Sequence, residues 1–108
     1  MEIDPNKAIR YIQEMAPTYA KAKGTRVRLE EFRKSKKAEL MLQAPTEVLG
    51  KQETFAYSHP DYLSVLDDLE KAVAIEEEVR WMLIAAQARI EVWKTQQYNA
   101  RAEMKAFS

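Results

Sequence analysis

Lys21, Lys23, Arg26, Arg28, Arg33, Lys34, Lys36 and Lys37 put eight cations into one short segment, interrupted only by Glu30 and Glu31. A basic helix of this kind neutralises phosphates and gains affinity by releasing counterions. That nominates Arg26, Arg28, Arg33, Lys34, Lys36 and Lys37 as a nucleic-acid contact. A second reading stands beside it. Helical phase spreads these side chains around much of the circumference, so the segment also reads as a solvated helix that pairs with the acidic C-terminal half.

The acidic run Asp67-Asp68-Leu69-Glu70 and the triplet Glu76-Glu77-Glu78 have the side chains to ligate a metal. Helical di-metal sites add a Glu-x-x-His element to such carboxylates. The one histidine, His59, lies far from them in sequence, beside Pro60. The acids therefore read as a solvated face and His59 as a turn residue, and no metal or cofactor is expected. The chain has no cysteine, which removes disulfides, Cys-ligated zinc and a thiol nucleophile. It also has no Gly-rich phosphate loop, no paired-His motif and no Ser-His-Asp arrangement, so an enzyme is not expected.

The aromatic residues are the remaining candidates. Phe55, Tyr57 and Tyr62 surround the Ser58-His59-Pro60 turn. Trp81 and Trp93 are twelve residues apart, about 120° around a helix at 100° per residue. They cannot share one narrow seam. Trp93 fits an apolar stripe, whereas Trp81 falls off it and is either covered by another helix or exposed at an interface, where Trp is enriched. Tyr57, Tyr62, Trp81 and Trp93 are accordingly the candidate partner-binding residues. Core packing is the plainer alternative for each.

The elements that position these residues are helices. Two glycines and four prolines in 108 residues are too few for an all-β chain. Apolar residues at 46% and charged residues at 31% suit exposed helices, each with one apolar stripe. Asp4-Pro5 pairs a favoured N-cap with a favoured first helical residue. Pro17 is expected to end or kink that first helix. A second helix follows over residues 18–43, weakened at Gly24 and closed by Ala44-Pro45. Its apolar positions are Tyr19, Ala22, Val27, Leu29, Phe32, Leu40, Met41 and Leu42. Thr46 reads as the N-cap of a short helix to residue 56. Ser58 followed by Asp61 resembles a capping box for the next.

After Pro60 the chain contains neither proline nor glycine, enough for a helix of roughly 70 Å at 1.5 Å per residue. Val79, Leu83, Ala86, Ile90, Trp93, Gln97, Ala100, Met104 and Phe107 recur at alternating spacings of four and three, a heptad seam with a polar break at Gln97. Tyr62, Leu66, Leu69 and Val73 suggest a related seam upstream, with Glu76–Glu78 dividing the two. The first half of this helix is then expected to cover the N-terminal helices, and the second half to pack on helix 2 or on a second copy of the chain.

The fold class that follows is all-α: an antiparallel helical hairpin of long helices with short extra helices and coiled-coil-like packing. One domain is expected over residues 1–108, with a basic half at 1–44 and a long C-terminal helix at 58–108. The basic half carries ten Lys/Arg and six Asp/Glu, a net of +4, and the remainder carries a net of −4. The halves should attract one another. A core this thin leaves apolar surface for a partner, a second copy included. The N-terminus has no hydrophobic signal region and no apolar run approaches a membrane span, so a cytoplasmic protein is expected.

Three stretches resemble small proteins encoded by tailed bacteriophages and prophages: Val27 to Lys37 (VRLEEFRKSKK), Phe55 to Tyr62 (FAYSHPDY) and Arg80 to Trp93 (RWMLIAAQARIEVW). The resemblance covers most of the chain and brings no functional residues with it. It implies a host-cell setting among early phage functions: recombination, replication or defence against the host. The expected function is a non-enzymatic accessory factor in phage DNA metabolism, acting through protein contacts with an added DNA contact. The alternative is an anti-defence inhibitor that binds a host protein and no nucleic acid.

Overall fold

A computed structural model of the chain describes residues 2–107, and among these it contains three helices and no strand. They are α1 (Pro5–Gln43), α2 (Leu49–Ser58) and α3 (Pro60–Ala106). The all-α architecture of two long packed helices is therefore observed. Asp4 caps α1 as expected: its carboxylate accepts the backbone N–H groups of Asn6 and Lys7 at 3.0 and 3.3 Å.

Pro17 does not end α1. The helix runs through it without interruption, and through Gly24 as well. Gln13 and Pro17 lie on the exposed face, so the carbonyl that the proline leaves unpaired is turned toward water. Met15 and Tyr19, on either side of the proline, are half-buried and hold the helix to its neighbour.

The short helix also starts later than expected. Thr46 does not cap it directly; its hydroxyl accepts the N–H of Val48, which is the residue preceding the helix. Ser58 is not the cap of α3 either. Its hydroxyl turns back and donates to the Thr54 carbonyl at 2.7 Å, closing α2. His59 takes the capping role, its Nδ1 accepting the N–H of Asp61 at 3.0 Å.

The chain divides into two compact units. One comprises residues 21–76, in which the C-terminal part of α1, all of α2 and the start of α3 enclose a core of Leu40, Ala56 and Tyr62, with Met41 and Leu66 against it. Here α1 and α3 run antiparallel: Leu40 meets Tyr62, and Arg26 meets Glu76. The other unit comprises residues 1–20 and 77–108, in which the start of α1 packs on the second part of α3 and buries Ala8, Val79 and Ala86. This reverses the expected assignment. The first half of α3 packs on the end of α1, and the second half on its beginning, as antiparallel helices require.

The seam is also simpler than the sequence suggested. Along α3 a series of buried or half-buried positions runs Tyr62, Val65, Leu69, Ala72, Glu76, Val79, Leu83, Ala86, Ile90 and Trp93, with Leu66, Arg80 and Ile84 half-buried beside it. The spacing of the series alternates strictly between three and four, one heptad series without a break. Val73 is exposed, Ala72 takes its place, and Glu76 occupies a seam position instead of dividing two seams. Along α1 the matching series is Ala8, Ile12, Met15, Tyr19, Ala22, Arg26, Leu29, Arg33, Lys36 and Leu40. Val27, Phe32 and Leu42 fall outside it and are exposed.

Candidate functional site

The six basic candidates on α1 do not form one open face. Arg26 occupies a seam position and is engaged twice. Its Nε and one terminal nitrogen donate to the Glu76 carboxylate, the latter at 3.2 Å, and its other terminal nitrogen donates to Glu30 at 3.0 Å. The hydrogen bond to Glu76, and after it the one to Glu30, raise the Arg26 pKa above its ordinary value. Glu76 is only 6% exposed, so this pair supplies the charge that lets a carboxylate sit in the seam.

Arg33 and Lys36 are half-buried in the same series, and Lys36 also pairs with Glu39 at 3.2 Å. Lys34 pairs with Glu31 at 3.2 Å. Lys37 leans over the Tyr57 ring, 4.6 Å from its centroid. Its pKa is raised, chiefly by a hydrogen bond with Tyr57, with Glu53 contributing by charge. Arg28 is exposed. Seam geometry thus draws Arg26, Arg33 and Lys36 inward, while Arg28 and Lys34 stay exposed.

The other candidates separate in the same way. Tyr62 is a core residue, against the expectation of a partner contact, and its ring meets that of Tyr57 edge-on at 5.3 Å. Tyr57 is about half exposed. His59 is engaged as a cap, with its ring tilted against Phe55 at 5.6 Å. Among the described residues, no three His, Asp or Glu side chains gather closely enough to hold a metal ion. No described helix is long and apolar enough to cross a membrane.

Trp81 and Trp93 both lie in the unit that contains the end of α3. Trp81 is 59% exposed and carries the Arg80 guanidinium over its ring at 5.0 Å. Trp93 is half-buried and closes the covered part of the α3 series.

Beyond Trp93 the heptad spacing continues onto an open surface. Every residue from Lys94 to Phe107 is exposed. The heptad series continues through Gln97, Ala100, Met104 and Phe107, but no described residue of α1 covers it: α1 begins at Pro5, and its first seam residue, Ala8, lines the same cleft as Ala86. Phe107 is 91% exposed, and Met104 and Tyr98 are nearly as open. Trp93, Lys94, Gln97, Tyr98 and Arg101 line a shallow concavity on this end. The cleft at the start of α1 holds Ile3, Lys7, Tyr11, Met82 and Arg89. At it, the Tyr11 hydroxyl is buried without a hydrogen-bond partner among the described residues. A comparison of the lengths of the two helices beyond their last shared level would have found this surface in the sequence.

The arrangement offers aromatic and apolar anchors bordered by cations, which is the chemistry of recognition. The chain matches no protein-family model, no curated protein and no solved structure.

Proposed function

We propose that the protein is a non-enzymatic interaction protein that engages another protein through the end of α3. One observation carries this reading: the apolar series of α3 outlasts α1 and continues, exposed, to Phe107. An amphipathic helix stabilises itself by burying its stripe, and no described residue covers the stripe from Gln97 to Phe107.

The setting that the phage resemblance implies is a role beside the DNA-recombination or replication machinery. A direct DNA contact through α1 is the weaker part of that reading, because Arg26 is held in the seam by the buried Glu76 and both Arg33 and Lys36 are half-buried. The same internal pairing favours the alternative, an inhibitor that binds a host defence protein and leaves nucleic acid alone.

Affinity capture from host lysate tests the docking surface, using the full chain beside a Met104→Glu, Phe107→Glu double variant. A protein retained by the first and lost by the second is expected. Identical profiles for the two would remove the docking reading. A recombination or replication factor in the specific fraction places the protein in DNA metabolism, and a defence nuclease makes it an inhibitor.

A further inference from the structure

We infer that the end of α3 pairs antiparallel with the same segment of a second copy of the chain, through the side of the helix turned away from the series that α1 covers. The pairing is independent of the docking reading above and leaves the Gln97 to Phe107 series open.

Every residue from Lys94 to Phe107 is exposed, so this end is bare on more than one side. Helical phase sets Val92, Thr95, Asn99 and Ala102 on the far side, with the same alternation of three and four as the covered series. Glu91, Tyr98 and Lys105 run along one edge of that side, and Arg89, Gln96 and Glu103 along the other. Lys94 and Arg101 lie further round, toward the open series. In an antiparallel pair each edge meets its own equivalent, and in a parallel pair each edge meets the other.

Charge complementarity selects both the occupant and its direction. Two copies laid antiparallel and centred at the level of Gln97 bring Glu91 of each to Lys105 of the other, and Arg89 to Glu103. Such a contact is isologous, so each attraction occurs twice. Tyr98, 73% exposed in the single chain, meets its counterpart near the axis, where both rings lose water. Other arrangements lose this match. Centred at Trp93, Glu91 faces Tyr98 and Arg89 faces Gln96; centred at Ile90, Glu91 and Arg89 each face their own kind. Laid parallel, Glu91 faces Gln96 and Glu103 faces Tyr98. On the Gln97 to Phe107 side, antiparallel copies would oppose Lys94 and Arg101, so that side does not complement itself. Within one chain Glu91 pairs with Lys94 at 3.2 Å, a mostly exposed contact of the kind that exchanges readily. Arg89 also borders the cleft that holds Glu2, Asp4 and Lys7, which makes the Glu91–Lys105 contact the cleaner one to test.

Sedimentation equilibrium of the full chain over a concentration series tests the pairing. The unmodified chain should pass from monomer toward dimer as concentration rises. Glu91→Lys and Lys105→Glu should each weaken the dimer by about tenfold, because each turns two attractions into two repulsions. Helical circular dichroism should stay unchanged in both. An equimolar mixture of the two single variants should recover the dimer, and so should one chain carrying both substitutions, since each restores opposite charges across the axis. Met104→Glu with Phe107→Glu should leave the dimer intact. A chain that stays monomeric throughout the series overturns the inference. So does a dimer that the single variants leave unaffected, one that their mixture fails to restore, or one that Met104→Glu with Phe107→Glu abolishes. In each case the lysate capture still judges the docking reading on its own.

Discussion

Two stretches of α3 follow the same heptad spacing and have opposite fates. From Tyr62 to Trp93 the series is buried or half-buried, and it accommodates even a carboxylate, Glu76, because α1 brings Arg26 to it. From Gln97 to Phe107 the series is exposed throughout. Periodicity prepares a face for burial, but a neighbouring helix decides whether burial happens. The covered stretch is therefore read as architecture and the bare one as a surface for something else.

The largest expected effect breaks this comparison most directly. Leu40 is 1% exposed, and Leu40→Ala should cost about 2 to 5 kcal/mol through lost transfer energy and the cavity left behind. Phe107→Ala, which removes a larger side chain, should stay within about 0.5 kcal/mol, as surface substitutions do. Urea denaturation measures both. Comparable losses would mean that the end of α3 is already covered in the free protein.

The Arg26–Glu76 pair comes next. Glu76→Ala strands a half-buried guanidinium and should lower the denaturation midpoint, though less than Leu40→Ala, because Glu30 remains at 3.0 Å. Replacing both partners with leucine should recover the loss, since apolar pairs often match or exceed the ion pairs they replace. A double variant no better than Glu76→Ala would show that the pair contributes more than seam filling.

Gly24→Ala sharpens the contrast from the other side. Gly24 sits inside α1 with open space where a Cβ would stand and an ordinary helical backbone. The substitution should stabilise the protein by about 0.5–1 kcal/mol. The gain should appear in global unfolding, because this part of α1 is packed against a neighbour.

The smallest effect is electrostatic. The Lys37 pKa is raised above its ordinary 10.5, first by the hydrogen bond with Tyr57. A raised folded-state value means that the charged form is favoured by folding. Its contribution is complete below pH 10.5 and is lost as pH climbs through the raised value. Thermal melts of Lys37→Met and the unmodified chain should therefore converge above that pH and differ below it.

The composition and the absence of breakers made the helical class and the length of α3 readable from the sequence. The Asp4 cap and the Val79 to Trp93 series were equally plain. The phase of the seam before Val79 was not. Val73 is the more hydrophobic choice, yet Ala72 faces inward and Val73 is exposed, because helix packing selects position before hydrophobicity. Glu76 read as an interruption because its partner is fifty residues away, and no local pattern reports so distant an ion pair. Pro17 misled for a related reason: propensity is local, and the packing of Met15 and Tyr19 overrides it. The site was half legible. The apolar series to Phe107 was visible, but its exposure depended on where α1 begins relative to α3.

The length of α3 has a kinetic consequence. Isolated helices of about a dozen residues are marginal in water because their first turn is costly to nucleate. The last turns of α3 escape that cost, since they elongate from a segment that is already wound and held. Fraying should start at Phe107 and travel inward, and amide hydrogen exchange should grade smoothly from rapid at Met104 to slow at Ala86. A partner arriving at this end meets a helix that needs only to be lengthened, not begun.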